Sequence, residues 1–215
     1  MSNILRCFLL TIFSFYFLSK TKAQTSNISG IINDYASVTS IGSQSIILSN
    51  AIGFAVGDRV LLIQMKGAEI DTTNTSAFGT INSYHDAGNY EMLTISSISA
   101  TTVSFSTPIL RTYNTIGLVQ LVRVPVYNNV NVTGILTCSP WNGTTGGVLA
   151  LEVNGCFTLN ANIDVSGKGF LGGAKLAGQW ISCSGNIVDF KFPITSLLSA
   201  YKGEGIALAN SLYSK

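Results

Sequence analysis

From residue 45 onward, apolar and polar positions alternate in short runs of strand length. Ser45-Ile46-Ile47-Leu48 is a brief apolar run. Arg59-Val60-Leu61-Leu62-Ile63-Gln64-Met65 is apolar on both faces, which predicts a central strand. Val56-Gly57-Asp58 supplies the turn before it and Gly67 ends it. Residues 90–98, 102–106 and 117–124 are rich in β-branched and aromatic side chains. Pro108 and Pro125 stand at edges, where a missing N–H is tolerated. The pattern over 45–125 predicts a small antiparallel sheet or barrel. Residues 24–44 are polar and read as a linker or a ragged first strand.

The texture changes at Val126, where strands become shorter and are broken by Gly and Asn. Val132-Thr133-Gly134-Ile135-Leu136-Thr137 is echoed 21 positions later by Val153-Asn154-Gly155-Cys156-Phe157-Thr158, and Val165-Ser166-Gly167 repeats its core. Repeats of about 20–29 residues with strand character suggest a solenoid, because one coil cannot bury its own apolar face. Residues 126–175 are therefore expected to form a short β-solenoid-like segment of the right-handed β-helix kind; the edge of an ordinary sandwich is the alternative. Residues 176–215 read as an irregular tail. Ile194, Leu197, Leu198 and Tyr201 have helical spacing after Pro193, which marks one short helix. The expected fold class is all-β.

The first 23 residues follow a different order. Arg6 precedes 12 mostly apolar residues, 7–18, and Thr21-Lys22-Ala23 ends in small side chains. This is the order of a secretory signal peptide, with the cut after Ala23. The apolar run is short of the roughly 20 residues that span a bilayer. No later stretch is apolar for long enough, so no membrane span is expected after cleavage. Cutting 23 of 215 residues leaves 192, with nine basic against ten acidic side chains. Such a chain has no electrostatic footprint for nucleic acid. Charged residues are only 10% of the sequence, against about 25% in ordinary soluble domains, a composition that suits an extracellular β-structure.

Candidate chemistry is sparse. Export permits disulfides, and Cys138 with Cys156 is the preferred pair; free thiols are the alternative. Gly167-Lys168-Gly169-Phe170-Leu171-Gly172 is a literal G-x-G-x-x-G after a strand. A dinucleotide turn needs a helix next, and Gly173, Gly178 and Pro193 leave little room for one, so a glycine-rich solenoid corner is the better reading. Glu152 and Asp164, with Lys168, are the only acidic pair and base within the repeats that a polysaccharide-cleaving site could use. Solvated outward positions explain them as well. Asp71, Asp86 and Asn89 lack EF-hand spacing. His85 is the lone histidine and reads as an exposed loop residue. The polar stretch 68–89, with Tyr84 and His85, exceeds ordinary loop length and is the first place to seek a contact surface. Trp141-Asn142-Gly143 reads as a turn that exposes its tryptophan to a sugar; packing within the β-structure, the commoner use of such rings, is the alternative. No catalytic residue, cofactor or metal is expected.

Two stretches carry a family resemblance. Val56-Gly57-Asp58-Arg59-Val60-Leu61-Leu62-Ile63-Gln64-Met65-Lys66-Gly67-Ala68 is one. Trp141-Asn142-Gly143-Thr144-Thr145-Gly146-Gly147-Val148-Leu149-Ala150-Leu151, continuing to Asp164-Val165-Ser166-Gly167-Lys168-Gly169-Phe170, is the other. Both resemble the N-terminal region of large Bacteroidetes surface proteins, gliding-motility-associated and adhesin-like, that leave through type IX secretion. The resemblance implies a longer modular product, of which this chain, ending soon after Lys202-Gly203-Glu204-Gly205, is a fragment. The expected function is a non-enzymatic exported module for surface structure or adhesion. Its partners would be the export machinery and an extracellular glycan or surface. A β-solenoid carbohydrate-active enzyme or carbohydrate-binding module is the alternative.

Overall fold

The computed structural model describes residues 24–174, 189–192 and 201–208. The signal segment 1–23 and Ile194, Leu197 and Leu198 of the expected helix lie outside these residues; Tyr201, the fourth position of that pattern, is in irregular structure. The strands in chain order are β1 (Thr25–Ile31), β2 (Tyr35–Ile41), β3 (Ser45–Leu48), β4 (Arg59–Gln64), β5 (Glu69–Ile70), β6 (Ile81–Ser83), β7 (Tyr90–Ser99), β8 (Thr102–Phe105), β9 (Val119–Arg123), β10 (Val126–Tyr127), β11 (Asn129–Thr137), β12 (Glu152–Val153) and β13 (Phe157–Leu159). The fold is all-β, an antiparallel barrel joined to a short β-solenoid.

The barrel is closed by six strands in the order β2-β3-β8-β7-β4-β9. Closure removes the sheet edges that an open antiparallel sheet would leave. Alternation sets which side chains point inward. In β4, Val60, Leu62 and Gln64 are fully buried, whereas Arg59, Leu61 and Ile63 lie on the other face, half-buried. β4 pairs with both β7 and β9, as a strand apolar on two faces should. Ile46, Leu48, Leu93, Ile95, Val103, Phe105 and Leu121 complete the interior.

The solenoid follows another rule. Its strands stack in parallel in the order β1-β11-β13, with β10 on β12 beside them. Val130 faces Phe157, Val132 faces Leu159 and Leu136 faces Ile163, a coil of 27 residues. The echo at an offset of 21 is therefore not the stacking period. It matched Val-x-Gly composition, whereas the real register is set by which side chains share the inner face. Ile28, Val130, Val132 and Leu136 form that core, with Tyr127, Leu149, Leu151 and Val153 against it.

Residues 24–44 are neither linker nor ragged. They hold two complete strands, β1 in the solenoid and β2 in the barrel. Serine and asparagine hide β1 because its outer positions face water and its pairing is carried by backbone. The barrel therefore starts at Tyr35, ten residues before the expected boundary at 45, and is inserted between the first and second coils.

Asn33, 5% exposed, stands where the chain crosses from coil to barrel. Its Nδ2 donates to the carbonyls of Arg123 (2.9 Å) and Ala150 (2.5 Å), and its Oδ1 accepts from Ala150 N–H (3.2 Å). One amide thus joins the start of the barrel, its end and the following coil. A second amide, Gln120, spans the same junction: Nε2 donates to Gly146 O and Oε1 accepts from Gly146 N–H, at 3.1 and 2.9 Å. Removing Asn33 leaves those backbone groups buried and unpaired. Asn33→Ala is expected to lower stability by about 1–3 kcal/mol in urea denaturation, whereas Ile116→Ala, on the surface, should stay within about 0.5 kcal/mol. Equal effects would contradict the assignment.

Candidate functional site

One rim of the barrel is built by 65–90 and 110–118. Its base is Gln64, a polar side chain at the end of β4 with no exposure. Gln64 Nε2 donates to the carbonyls of Lys66 (2.8 Å) and His85 (3.1 Å), and Oε1 accepts from Asn114 N–H at 2.7 Å. The amide is satisfied, so burial carries no unpaired polar atom. Gly117 packs on it; a Cβ there would overlap the Lys66 carbonyl and the Gln64 amide.

This base fixes a strained turn. His85 and Asp86 have φ of +41° and +66°, a conformation that costs side-chain-bearing residues of order 1 kcal/mol or more. The Asp86 carboxylate accepts from Thr112 Oγ1 (2.7 Å) and Asn89 Nδ2 (3.2 Å), which holds the turn in place. The turn presents Tyr84, 61% exposed, and His85, whose Nε2 lies 2.9 Å from Glu69 Oε2 across the β5–β6 ribbon. A cleft of about 400 Å³ opens beside the pair, lined by Gly67, Ala68, Glu69, Ile70, Thr72 and His85, with Leu208 at its margin. Further along the rim, Arg111 lies 5.7 Å from the exposed Tyr90 ring, its loop held by Glu91 accepting from Leu110 and Arg111 N–H. The rim thus offers flat aromatic rings next to a fixed donor–acceptor pair.

Trp141 belongs elsewhere. It is 2% exposed, so the expected exposed turn is corrected. Its Nε1–H donates to Glu204 Oε2 at 2.6 Å, and Phe170 meets its ring edge-on at 5.4 Å between centroids. Lys66 Nζ reaches Glu204 Oε1 at 3.2 Å and lies 5.9 and 5.3 Å from the Trp141 and Phe170 ring centres. The Trp141 indole is consumed in closing this cluster over a buried lysine. The 201–208 segment that brings Glu204 also docks by backbone, Gly67 N–H donating to Ile206 O at 2.8 Å and Leu208 N–H to Ala68 O at 3.2 Å.

Cys138 and Cys156 are both free thiols, so the expected disulfide is absent. The register gives the reason. Cys156 lies beside Val130, whose N–H bonds its carbonyl, whereas Cys138 is eight residues further along the neighbouring coil. At about 3.3 Å per residue along an extended strand, the gap greatly exceeds the roughly 7 Å limit between bridged Cα atoms. Glu152 pairs with Arg59 at 3.5 Å, on another element from Asp164, which accepts from Ser166 N–H within its own turn and feels the nearby Lys168 charge; these bonds and that charge hold the Asp164 carboxyl below its ordinary range. The Asp71 carboxylate bonds Thr73, away from the partners of Asp86. Among the described residues no three His, Cys, Asp or Glu side chains converge on a common point. The glycine motif forms a corner with Gly167 at φ +67° and no helix over 168–174.

Tyr84 and His85, singled out in the sequence, are exposed on the rim, whereas Gln64, Lys66 and Glu204 were not singled out. Gln64 and Lys66 were visible as polar residues closing an apolar run, which is the signal for a buried polar group with a partner.

No protein family matches the sequence, and no curated protein does. Solved structures align with parts of the chain, among them the Pseudomonas phage phi297 tailspike gp61 (11% identity, 64% of this chain and 20% of that one, TM-score 0.30), the gp54 tailspike of Acinetobacter baumannii bacteriophage AP22 in complex with A. baumannii capsular saccharide (14%, 70% and 33%, 0.34), and the tailspike gp49 from Pseudomonas phage LKA1 (16%, 68% and 24%, 0.29). The chain spans a third or less of each.

Burial raises the Glu204 carboxyl, but donors from Leu171 N–H, Lys66 and Trp141, with the Lys66 charge, outweigh it and hold the group below its ordinary 4.5. A carboxyl lowered on folding stabilises fully above its unfolded value and loses that contribution as pH falls through its folded value. Trp141 emission, read in a Trp180→Phe background, should be constant above pH 4.5 and shift below it. Glu204→Gln should move the emission at neutral pH and flatten the profile; an unchanged profile would show that Glu204 does not hold the indole.

Proposed function

We propose that the chain is a non-enzymatic, exported surface module that contacts an extracellular glycan through the barrel rim around Tyr84, His85 and Glu69. The observation that carries this reading is the exposed Tyr84 ring on a turn held rigid from below, next to the Glu69–His85 pair. A sugar ring stacks its C–H face on an aromatic surface and directs hydroxyls to fixed donors and acceptors; the rim supplies both. Rigidity matters because ordering a mobile loop on binding would subtract from affinity. The Gln64 and Asp86 bonds have already ordered it.

Export rests on the residues before Ala23, and the surface setting on the resemblance to Bacteroidetes adhesin-like proteins. The low charge of the chain agrees with both. The engagement of Glu152 with Arg59, away from Asp164 and its own turn, supports the non-enzymatic reading. A glycan panel read for both binding and product release tests the whole proposal. Tyr84→Ala and His85→Ala should each weaken binding roughly tenfold, about 1.4 kcal/mol, with the barrel intact by circular dichroism. Binding that survives both substitutions would remove the rim from the account. Release of shorter saccharides would remove its non-enzymatic part.

A further inference from the structure

The β5–β6 ribbon has no apolar anchor. None of residues 69–83 is buried, although the barrel beside them is tightly filled. Among the described residues, β5 and β6 pair only with each other. A two-stranded ribbon of this size is marginal on its own in water. Its internal bonds are local: Asp71 N–H donates to Thr80 O at 2.8 Å, and Gly79 N–H to Asp71 O at 2.9 Å. Support must come from outside, and the barrel core does not supply it.

The tail meets the ribbon at two places. At the tip, the Asn74 amide grips 189–191. Its Nδ2 donates to Asp189 Oδ1 (2.7 Å), and its Oδ1 accepts from the N–H groups of Phe190 (2.7 Å) and Lys191 (3.2 Å). Lys191 Nζ donates to Thr72 O at 2.8 Å, and Lys202 Nζ stands 5.1 Å from the Phe78 ring centre. At the root, Ala68 and Ala207 form a parallel bridge beside β5. Ala68 N–H donates to Ile206 O at 3.1 Å, and Ala68 O accepts from Leu208 N–H at 3.2 Å.

The root is the firmer of the two. Glu204 accepts from Lys66 Nζ, Trp141 Nε1–H and Leu171 N–H. Lys66 is 5% exposed, so loss of that carboxylate would leave a buried charge without its counterion. The tail is thus locked at a buried ion pair, and it reaches the ribbon tip through exposed polar bonds that are each weak.

We propose that the tail is a clasp: the β5–β6 ribbon keeps its shape only while 189–191 and 201–208 are docked, and ribbon and tail release together while the barrel stays closed. Such a unit opens at a lower free energy than the whole fold. The turn at His85 and Asp86 is not part of it, because Gln64 and Thr112 hold that turn from the barrel side. Glu69 on β5 meets His85 across the boundary, so their pair forms only in the clasped state. The rim then has a fixed half and a conditional half. This device stands whether or not the rim meets a glycan.

Native-state hydrogen exchange on the full chain tests the coupling between root and tip. Glu204→Gln alters only the root, yet it should speed exchange at the Asp71 and Gly79 amides roughly tenfold or more, with the middle of β4 unchanged. Asn74→Asp sets a carboxylate against Asp189 and should act in the same way. Adding Asp189→Asn to it restores the donor–acceptor pair with its polarity reversed, and should return the rates toward those of the native chain. Tip amides indifferent to Glu204→Gln would overturn the proposal, as would a second substitution that fails to rescue the first. A ribbon that exchanges only when the barrel strands do would overturn it too.

Discussion

The structure depends on the amide of Asn33. A parallel solenoid needs β1 beside β11, yet the whole barrel lies between them in the chain. Bringing together groups 117 positions apart carries a large loop-closure cost if nothing intervenes. The barrel removes most of that cost, because β2 and β9, its first and last strands, are neighbours: Tyr35 faces Val122. Its two ends therefore leave side by side. Asn33 then fixes them to each other and to the coil beyond, satisfying Arg123 and Ala150 from one buried side chain. The Asp34–Arg123 ion pair at 2.7 Å lies at the same crossing. Tyr35 adds a bond to Val148 O at 2.6 Å, and burial pushes its hydroxyl up to about 12, so it remains a donor at neutral pH.

The rest of the architecture divides along that junction. Antiparallel pairs closed on themselves make the barrel stiff without help from the solenoid. Parallel coils are only as stable as their neighbours, so the solenoid draws on the barrel at one side and on the 201–208 segment at another. The Lys66–Glu204–Trp141 cluster is where the second of these attachments is made. A buried lysine is tolerable there because a carboxylate and two aromatic faces surround it. The same segment reaches the rim, where Gly67 N–H donates to Ile206 O and Leu208 lines the cleft beside His85. The display of Tyr84 and His85 is supported from the barrel through Gln64.

Much of this was legible in the sequence, and the misses have physical causes. The run from Arg59 to Met65 announced a central strand because both of its faces meet protein. The polar segment 68–89 announced a presented surface. β1 was illegible because its information sits in backbone pairing and in Ile28 alone. The 21-residue echo misled because glycine positions recur in turns whose stacking register they do not set. Trp141 misled because Asn-Gly after an aromatic signals a turn but not the side to which the ring points. Lys66-Gly67, Trp141-Asn142-Gly143 and Gly169-Phe170 each lie in the two stretches quoted for the resemblance, and Glu204 lies outside them. What the sequence could not show is that they meet in one cluster.

Native-state hydrogen exchange on β1 tests the central claim most directly. If the barrel is an insertion between two coils of one solenoid, the β1 amides that bond to β11 will exchange as slowly as those in the middle of β11, and Asn33→Ala will release both together. If β1 instead exchanges at the rate of an unstructured leader while the barrel strands remain protected, the first coil does not exist and the account fails.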